Sequence, residues 1–165
     1  MSNFKSCWRS LLLTASFLIA GCTQFTSLKN PIDPETPNWN GRISVQVQKP
    51  TPQTLVASFE LAGSAQAGQL RLNTPMGTTV AALSWSPLQV LLDTGSHTRY
   101  FSSVEALMEE VVGAEVPLSA LFDWLNGNAT QPAGWQVDLS HYAAGKISAT
   151  RVTPLPVVQL HMLFE

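Results

Sequence analysis

The chain of 165 residues carries nine Lys and Arg against eleven Asp and Glu, and only 12% of it is charged while 45% is hydrophobic. That balance argues against nucleic acid, which needs clustered Lys and Arg, and against charge-driven docking on anionic phospholipid. A domain so poor in charge is a candidate for exposed or cavity-lining apolar surface.

The chain opens with Lys5 and Arg9 and no acid, followed by an apolar run from Leu11 to Ala20. A membrane-spanning helix needs roughly 20 residues; about ten fit the apolar stretch of a secretory signal. Small residues, Ala20 and Gly21, lead into Cys22. The segment Leu18-Ile19-Ala20-Gly21-Cys22 resembles the bacterial lipobox, in which the cysteine thiol takes a diacylglycerol and the chain is cut just before it. This order of features predicts a cleaved signal peptide over residues 1–21 and lipid attachment at Cys22. The bland alternative is a buried apolar helix with an incidental cysteine. With Cys7 removed and Cys22 acylated, no thiol is left for a disulfide, so the core must supply stability. Losing Lys5 and Arg9 leaves seven bases against eleven acids, a formal net of −4. Residues 22–165 suffice for one domain of ordinary size.

Residues 22–38 carry Pro31, Pro34 and Pro37 and almost no apolar periodicity. They read as a lipid-anchored Pro-rich linker, with a reach from Thr23 to Asn38 of about 50 Å at roughly 3.1 Å per residue. An irregular arm packed on the domain is the alternative.

From residue 39 on, period-2 alternation dominates. Ile43, Val45 and Val47 alternate with polar residues, as do Leu55, Ala57, Phe59 and Leu61, and then Leu70 and Leu72. The turn Thr74-Pro75-Met76-Gly77 follows. Thr78 to Trp85 reads as a strand apolar on both faces, Leu88, Val90 and Leu92 alternate again, and Thr98 to Phe101 is a short further strand. Ser102-Ser103-Val104-Glu105 fits a capping box opening a helix. Val104, Leu107, Met108 and Val111 make its apolar stripe, and Gly113 supplies a left-handed stop. Pro117 suits the first turn of a second helix carrying Leu118, Leu121, Phe122, Trp124 and Leu125, which ends near Asn126-Gly127. Strand patterns resume at Trp135, Val137 and Leu139, at Lys146 to Val152, and at Val158, Leu160, Met162 and Phe164. The expected fold class is therefore mainly β, with about nine antiparallel strands joined by short turns and one helical insertion. A sheet this long must curl. Two short helices leave part of its concave side lined but unfilled.

No enzyme constellation stands out. His97, His141 and His161 are scattered, without metal-ligand spacing. Glu109 and Glu110 read as a solvated helix face, and Asp123 as a helix-surface carboxylate. No catalytic residue, metal or cofactor is expected beyond the covalent lipid on Cys22.

Five ordered segments carry a family resemblance: Trp39-Asn40-Gly41-Arg42-Ile43-Ser44-Val45; Leu70 through Thr78 around the Pro75 turn; Gly113-Ala114-Glu115-Val116-Pro117-Leu118; Leu121-Phe122-Asp123-Trp124-Leu125-Asn126-Gly127; and Gly134-Trp135-Gln136-Val137 with Tyr142 beyond. Together, over residues 39–165, they resemble the outer-membrane lipoprotein localisation factor LolB. The resemblance implies an incomplete antiparallel β-barrel around an apolar cavity, with the two helices as a lid. It implies a monomeric receptor on the periplasmic face of the outer membrane, held by its lipid. Such a receptor takes acylated lipoproteins from the periplasmic carrier LolA and inserts them into that membrane. It also implies an apolar membrane-insertion residue at the tip of the turn Pro75-Met76-Gly77, which here is Met76. A Met tucked against a neighbouring strand is the alternative. Candidate acyl-binding cavity residues are Phe59, Leu61, Leu70, Leu72, Val90, Leu92, Leu107, Trp124 and Leu125, each of which would serve equally as plain core. The stretch from Gly127 to Gly134 is short where many family members carry a further strand pair, so the cavity is expected to be shallower or more open. A non-transferring lipoprotein of the same fold, acting as a lipid-sensing regulator or structural anchor, is the competing reading.

Overall fold

A computed structural model describes residues 37–165 of the chain. The signal peptide, Cys22 and nearly all of the linker expected from the sequence lie outside those residues. Alternating patterns become strands β1 (Asn38–Gln48), β2 (Gln53–Gly63), β3 (Gly68–Asn73), β4 (Thr79–Trp85), β5 (Val90–Asp93) and β6 (Thr98–Phe101). Helices α1 (Val104–Val112) and α2 (Leu118–Leu125) follow, then β7 (Trp135–Asp138), a single 3-10 turn at Tyr142–Ala144, β8 (Lys146–Arg151) and β9 (Val157–Phe164). All nine strands join one antiparallel sheet in the order β6-β5-β4-β3-β2-β1-β9-β8-β7. The edge strands β6 and β7 do not pair, so the curled sheet is an unclosed barrel.

Alternation sets which face is apolar. Ile43, Val45 and Val47 of β1, Ala57, Phe59 and Leu61 of β2, Leu70 and Leu72 of β3, and Val158, Leu160 and Met162 of β9 are all buried. The residues alternating with them face outward, because successive side chains of a strand point to opposite faces. β4 obeys the same rule rather than being apolar on both faces: Ala81, Leu83 and Trp85 are buried, and Val80 is exposed. Leu88 belongs to no strand; β5 begins at Val90, and Leu88 stands in the preceding turn.

Both helices lie on the buried side. The N-cap of α1 is Ser103, whose hydroxyl accepts from the Ala106 amide at 3.2 Å. Glu105 is therefore one position short of the capping-box site expected from Ser102, although it still places an acid in the positively polarised first turn. Gly113 closes α1 at φ 81°, and its amide donates to the Glu109 carbonyl. Pro117 is the cap of α2 rather than its first helical residue. Six of the eight residues of α2 are buried, so this helix is an inner layer of the core, while α1 shows Glu105, Glu109 and Glu110 to solvent.

Antiparallel alternation also sorts the connections between two ends. One end gathers the β1–β2, β3–β4, β5–β6 and β8–β9 turns. The α1–α2 connection joins them, since Gly113 lies beside Gln53 and Val47. The other end gathers the β2–β3 and β4–β5 turns, the start of β1 and the end of β9. The register is staggered, with Asn73 opposite Ser58 and Gln48 opposite Val157, as tilted strands of a barrel require.

Candidate functional site

The nine residues expected to line a cavity do come together. Phe59, Leu61, Leu70, Leu72, Val90 and Leu92 face inward from the sheet, and Leu107, Trp124 and Leu125 face them from the helices. They are not the wall of an open space, however. All nine are buried within one continuous apolar cluster, so α2 fills the concave side that the strand pattern alone left unfilled. Short helices suffice because α2 contributes Leu118, Ala120, Leu121, Phe122, Trp124 and Leu125, a face far wider than the stripe of an ordinary surface helix.

The end bearing the β2–β3 and β4–β5 turns is closed by aromatic rings. Phe122 meets the edges of Trp39 and Trp85, at centroid distances of 5.6 and 6.4 Å. Trp85 donates from Nε1 to the Ser64 carbonyl at 2.9 Å. Tyr142 packs at a tilt against Phe164, with ring centroids 5.4 Å apart, and donates its hydroxyl proton to the Leu125 carbonyl at 2.8 Å. The short 127–134 stretch is tied to α2 rather than forming a strand pair. Trp124 Nε1 donates to the Thr130 carbonyl at 2.7 Å, and Thr130 donates to Asp123 Oδ2 at 2.8 Å. Asp123 is thus a half-buried helix-surface carboxylate that fastens a loop.

The opposite end is more polar. An open groove of about 630 Å³ runs between α1 and the β1–β2 hairpin, lined by Lys49, Gln53, Thr54, Glu109 and Glu110 among others. Beside it sits a residue that sequence reasoning missed. Arg151 is only 6% exposed and occupies a core-facing position of β8. Its guanidinium lies over Trp135 at 5.9 Å and donates to the carbonyls of Glu115, in the α1–α2 connection, and Pro156. Nε has no partner. The signal was available in outline, because Ile147, Ala149 and Arg151 share one strand face.

Met76 stands at this same end and is 94% exposed. Its turn is built to hold it outward. The Gly77 amide donates to the Thr74 carbonyl at 2.9 Å, the Thr74 amide to the Thr78 carbonyl, and the Thr78 amide to Thr74 Oγ1. Pro75 fits the first central position of the turn, and Gly77 takes φ 84°, a left-handed value glycine adopts without strain. A side-chain network on the outer face of the sheet, centred on the buried Asn73, adjoins the turn. Asn73 donates to Glu60 at 3.0 Å and accepts from the Thr79 hydroxyl at 2.8 Å, while Arg71 pairs with Glu60 at 3.2 Å. The strand register shifts between Leu72 and Asn73, and Asn73 is buried beside Glu60 and Thr79.

The histidines remain apart. His97 lies in the β5–β6 turn against Ser96, and His141 is exposed. His161 Nδ1 is 3.0 Å from Ser148 Oγ on the outer face of the sheet, a hydroxyl–imidazole pair with no cleft around it. Among the described residues no group of three His, Cys, Asp or Glu could hold a metal ion.

The structure is thus an unclosed antiparallel half-barrel with helices inside its curve and Met76 among the large apolar side chains held in solvent. A family model described as outer membrane lipoprotein LolB matches residues 37–157, and the chain belongs to that family. It is 32% identical over 97 residues to the outer-membrane lipoprotein LolB of Cupriavidus necator, covering 58% of this chain and 49% of that one. The same-named protein of Cupriavidus taiwanensis is 31% identical over 101 residues, 60% of this chain and 50% of the relative. That of Shewanella denitrificans is 27% identical over 152 residues, 88% and 71%. The chain thus spans about half the length of the first two relatives.

Proposed function

We propose that the protein is a lipoprotein receptor of the outer membrane. It accepts acylated lipoproteins from a soluble periplasmic carrier of the LolA type and releases them into the bilayer, with no covalent chemistry. In this reading Cys22 carries the lipid that holds the chain on the periplasmic face of the outer membrane. The observation that carries the reading is Met76, a large apolar side chain fully offered to solvent on a hydrogen-bonded turn. Solvent-facing methionine gains nothing in water, but a flexible thioether suits transient burial among acyl chains.

The energetics make a covered handover necessary. Each methylene moved out of hydrocarbon costs about 0.8 kcal/mol, so several acyl chains do not cross water at a useful rate. A concave apolar wall facing the carrier keeps them covered, and direction needs only that this wall hold them more tightly than the carrier does. Because α2 fills that wall, cargo must displace it. Phe59, Leu61, Leu70, Leu72, Val90 and Leu92 then exchange contacts with Leu107, Trp124 and Leu125 for contacts with acyl chains.

The test is Met76→Glu in a carrier-to-vesicle transfer assay with the full chain. Uptake from the carrier should persist while release into vesicles falls by at least about tenfold, the value of roughly 1.4 kcal/mol. Unchanged release would remove the role given to the turn. The filled concave side favours one other reading, a family member that is a regulator or structural anchor and transfers nothing. In that case the wild-type chain takes no lipoprotein from the carrier at all.

A further inference from the structure

We propose that the β8–β9 loop, Val152–Pro156, is a second bilayer-contacting tip that enters the acyl region of a membrane together with Met76. This rests on the reading of Met76 given above. Leu155 is 78% exposed and Val152 53%, in a loop of Val, Thr, Pro, Leu and Pro without a charge. The alternation of strands places this loop at the same end of the barrel as the Pro75-Met76-Gly77 turn. The hairpins lie four strand spacings apart in the sheet order, about 19 Å across the strands at roughly 4.8 Å each, with the β1–β2 hairpin between them at the same end.

Backbone chemistry suits the occupant. In hydrocarbon each unsatisfied N–H is costly. Pro154 and Pro156 have no N–H and the Val152 amide donates to the Gly134 carbonyl at 3.3 Å, so of the loop's five residues only Thr153 and Leu155 still offer an N–H. In the first turn Pro75 likewise lacks a donor and the Gly77 and Thr78 amides are satisfied within the turn, which leaves the N–H of Met76. Arg151, the cation next to the loop, is buried and drawn toward Glu115, so it presents no charge to lipid. Two contacts instead of one also fix the tilt of the domain on the membrane, which a single tip leaves free.

The geometry of the chain allows this orientation. β1 begins at Asn38, at the far end from the two tips, and its 11 residues span about 36 Å at roughly 3.3 Å each. Sixteen residues, Thr23 to Asn38, reach about 50 Å at roughly 3.1 Å each, more than the length of β1, so the proposed attachment at Cys22 is compatible with tips at the bilayer.

The test uses the full lipid-bearing chain in phosphatidylethanolamine–phosphatidylglycerol vesicles, with an environment-sensitive fluorescent amino acid at position 155, 76 or 88. Leu88 is the control, being 95% exposed but at the other end. Lipids brominated on their acyl chains should quench the probes at 155 and 76 and leave the probe at 88 bright. Quenching at 76 without quenching at 155 overturns the second tip and leaves the function above intact. Quenching at 155 but not at 76 overturns the joint contact and removes Met76 from the membrane. Equal quenching at 88 and 155, or none at any position, overturns the end-on contact.

Discussion

The two ends of this half-barrel are closed by different chemistry. At the end of the β2–β3 and β4–β5 turns, Phe122 sits between Trp39 and Trp85, Tyr142 packs on Phe164, and both Trp85 and Tyr142 donate to backbone carbonyls. At the other end the helix connection is held by long hydrogen bonds, 3.3 Å from Arg151 to Glu115 and 3.5 Å to Pro156, beside an open polar groove. Large rings buried against one another resist separation, whereas a guanidinium resting on two carbonyls with Nε idle holds less firmly. The second end, where α2 still meets β7 through Trp124 and Trp135 at 5.7 Å, is the end that carries Met76. Two residues with nearly equal exposure, Met76 and Leu88, differ chiefly in which of these ends they occupy.

The contrast can be broken most forcefully at the aromatic end. Phe122→Ala should cost about 3–5 kcal/mol, read from the denaturant midpoint, since it empties the space between two tryptophans. Next comes Arg151→Ala, which should cost about 1–3 kcal/mol. Its sharper signature is faster amide exchange across residues 113–117 with little change in β2 and β3. Uniform acceleration through the sheet would mean that Arg151 is general core and not a latch on the connection. Tyr142→Phe removes one hydrogen bond to Leu125 and should cost about 0.5–1.5 kcal/mol in the same titration. Met76→Glu and Leu88→Glu should each stay within about 0.5 kcal/mol of wild type, because neither side chain is packed. Only the first should impair release, and loss of release in both would erase the distinction between the ends. The smallest effect belongs to pH. The Asp138 carboxyl is held below the ordinary carboxylate range by hydrogen bonds from Ser140, with the nearby His141 charge adding to this. Its stabilisation is present above the ordinary value and lost as pH falls through the lowered one. Asp138→Asn should therefore flatten a shallow acid limb of the stability profile, and an unaltered limb would assign it to other carboxylates.

Most of the architecture was readable before any coordinates. Nine strands and two helices follow from period-2 and period-3.6 spacing, and Gly113 ended α1 as its sequence suggested. The errors were local and have local causes. Ser102 and Ser103 are equally good caps, and only the path of the chain out of β6 chose the second. Leu88 continued an alternation that Ser86 and Pro87 had already interrupted by turning the chain.

What the sequence determined without help was which residues are apolar on which face of each element, because side-chain alternation is a property of the backbone itself. It also determined the Pro75-Met76-Gly77 turn, since proline and glycine restrict and permit φ locally. Whether Phe59 or Trp124 faced a space or another side chain was a tertiary matter, decided by how far α2 sinks into the curve of the sheet. The burial of Arg151 and the shared end of Met76 and Leu155 were decided there as well. They depend on strand order and register, and residues 76 and 155 become neighbours at one end only when β3, β2, β1, β9 and β8 lie side by side.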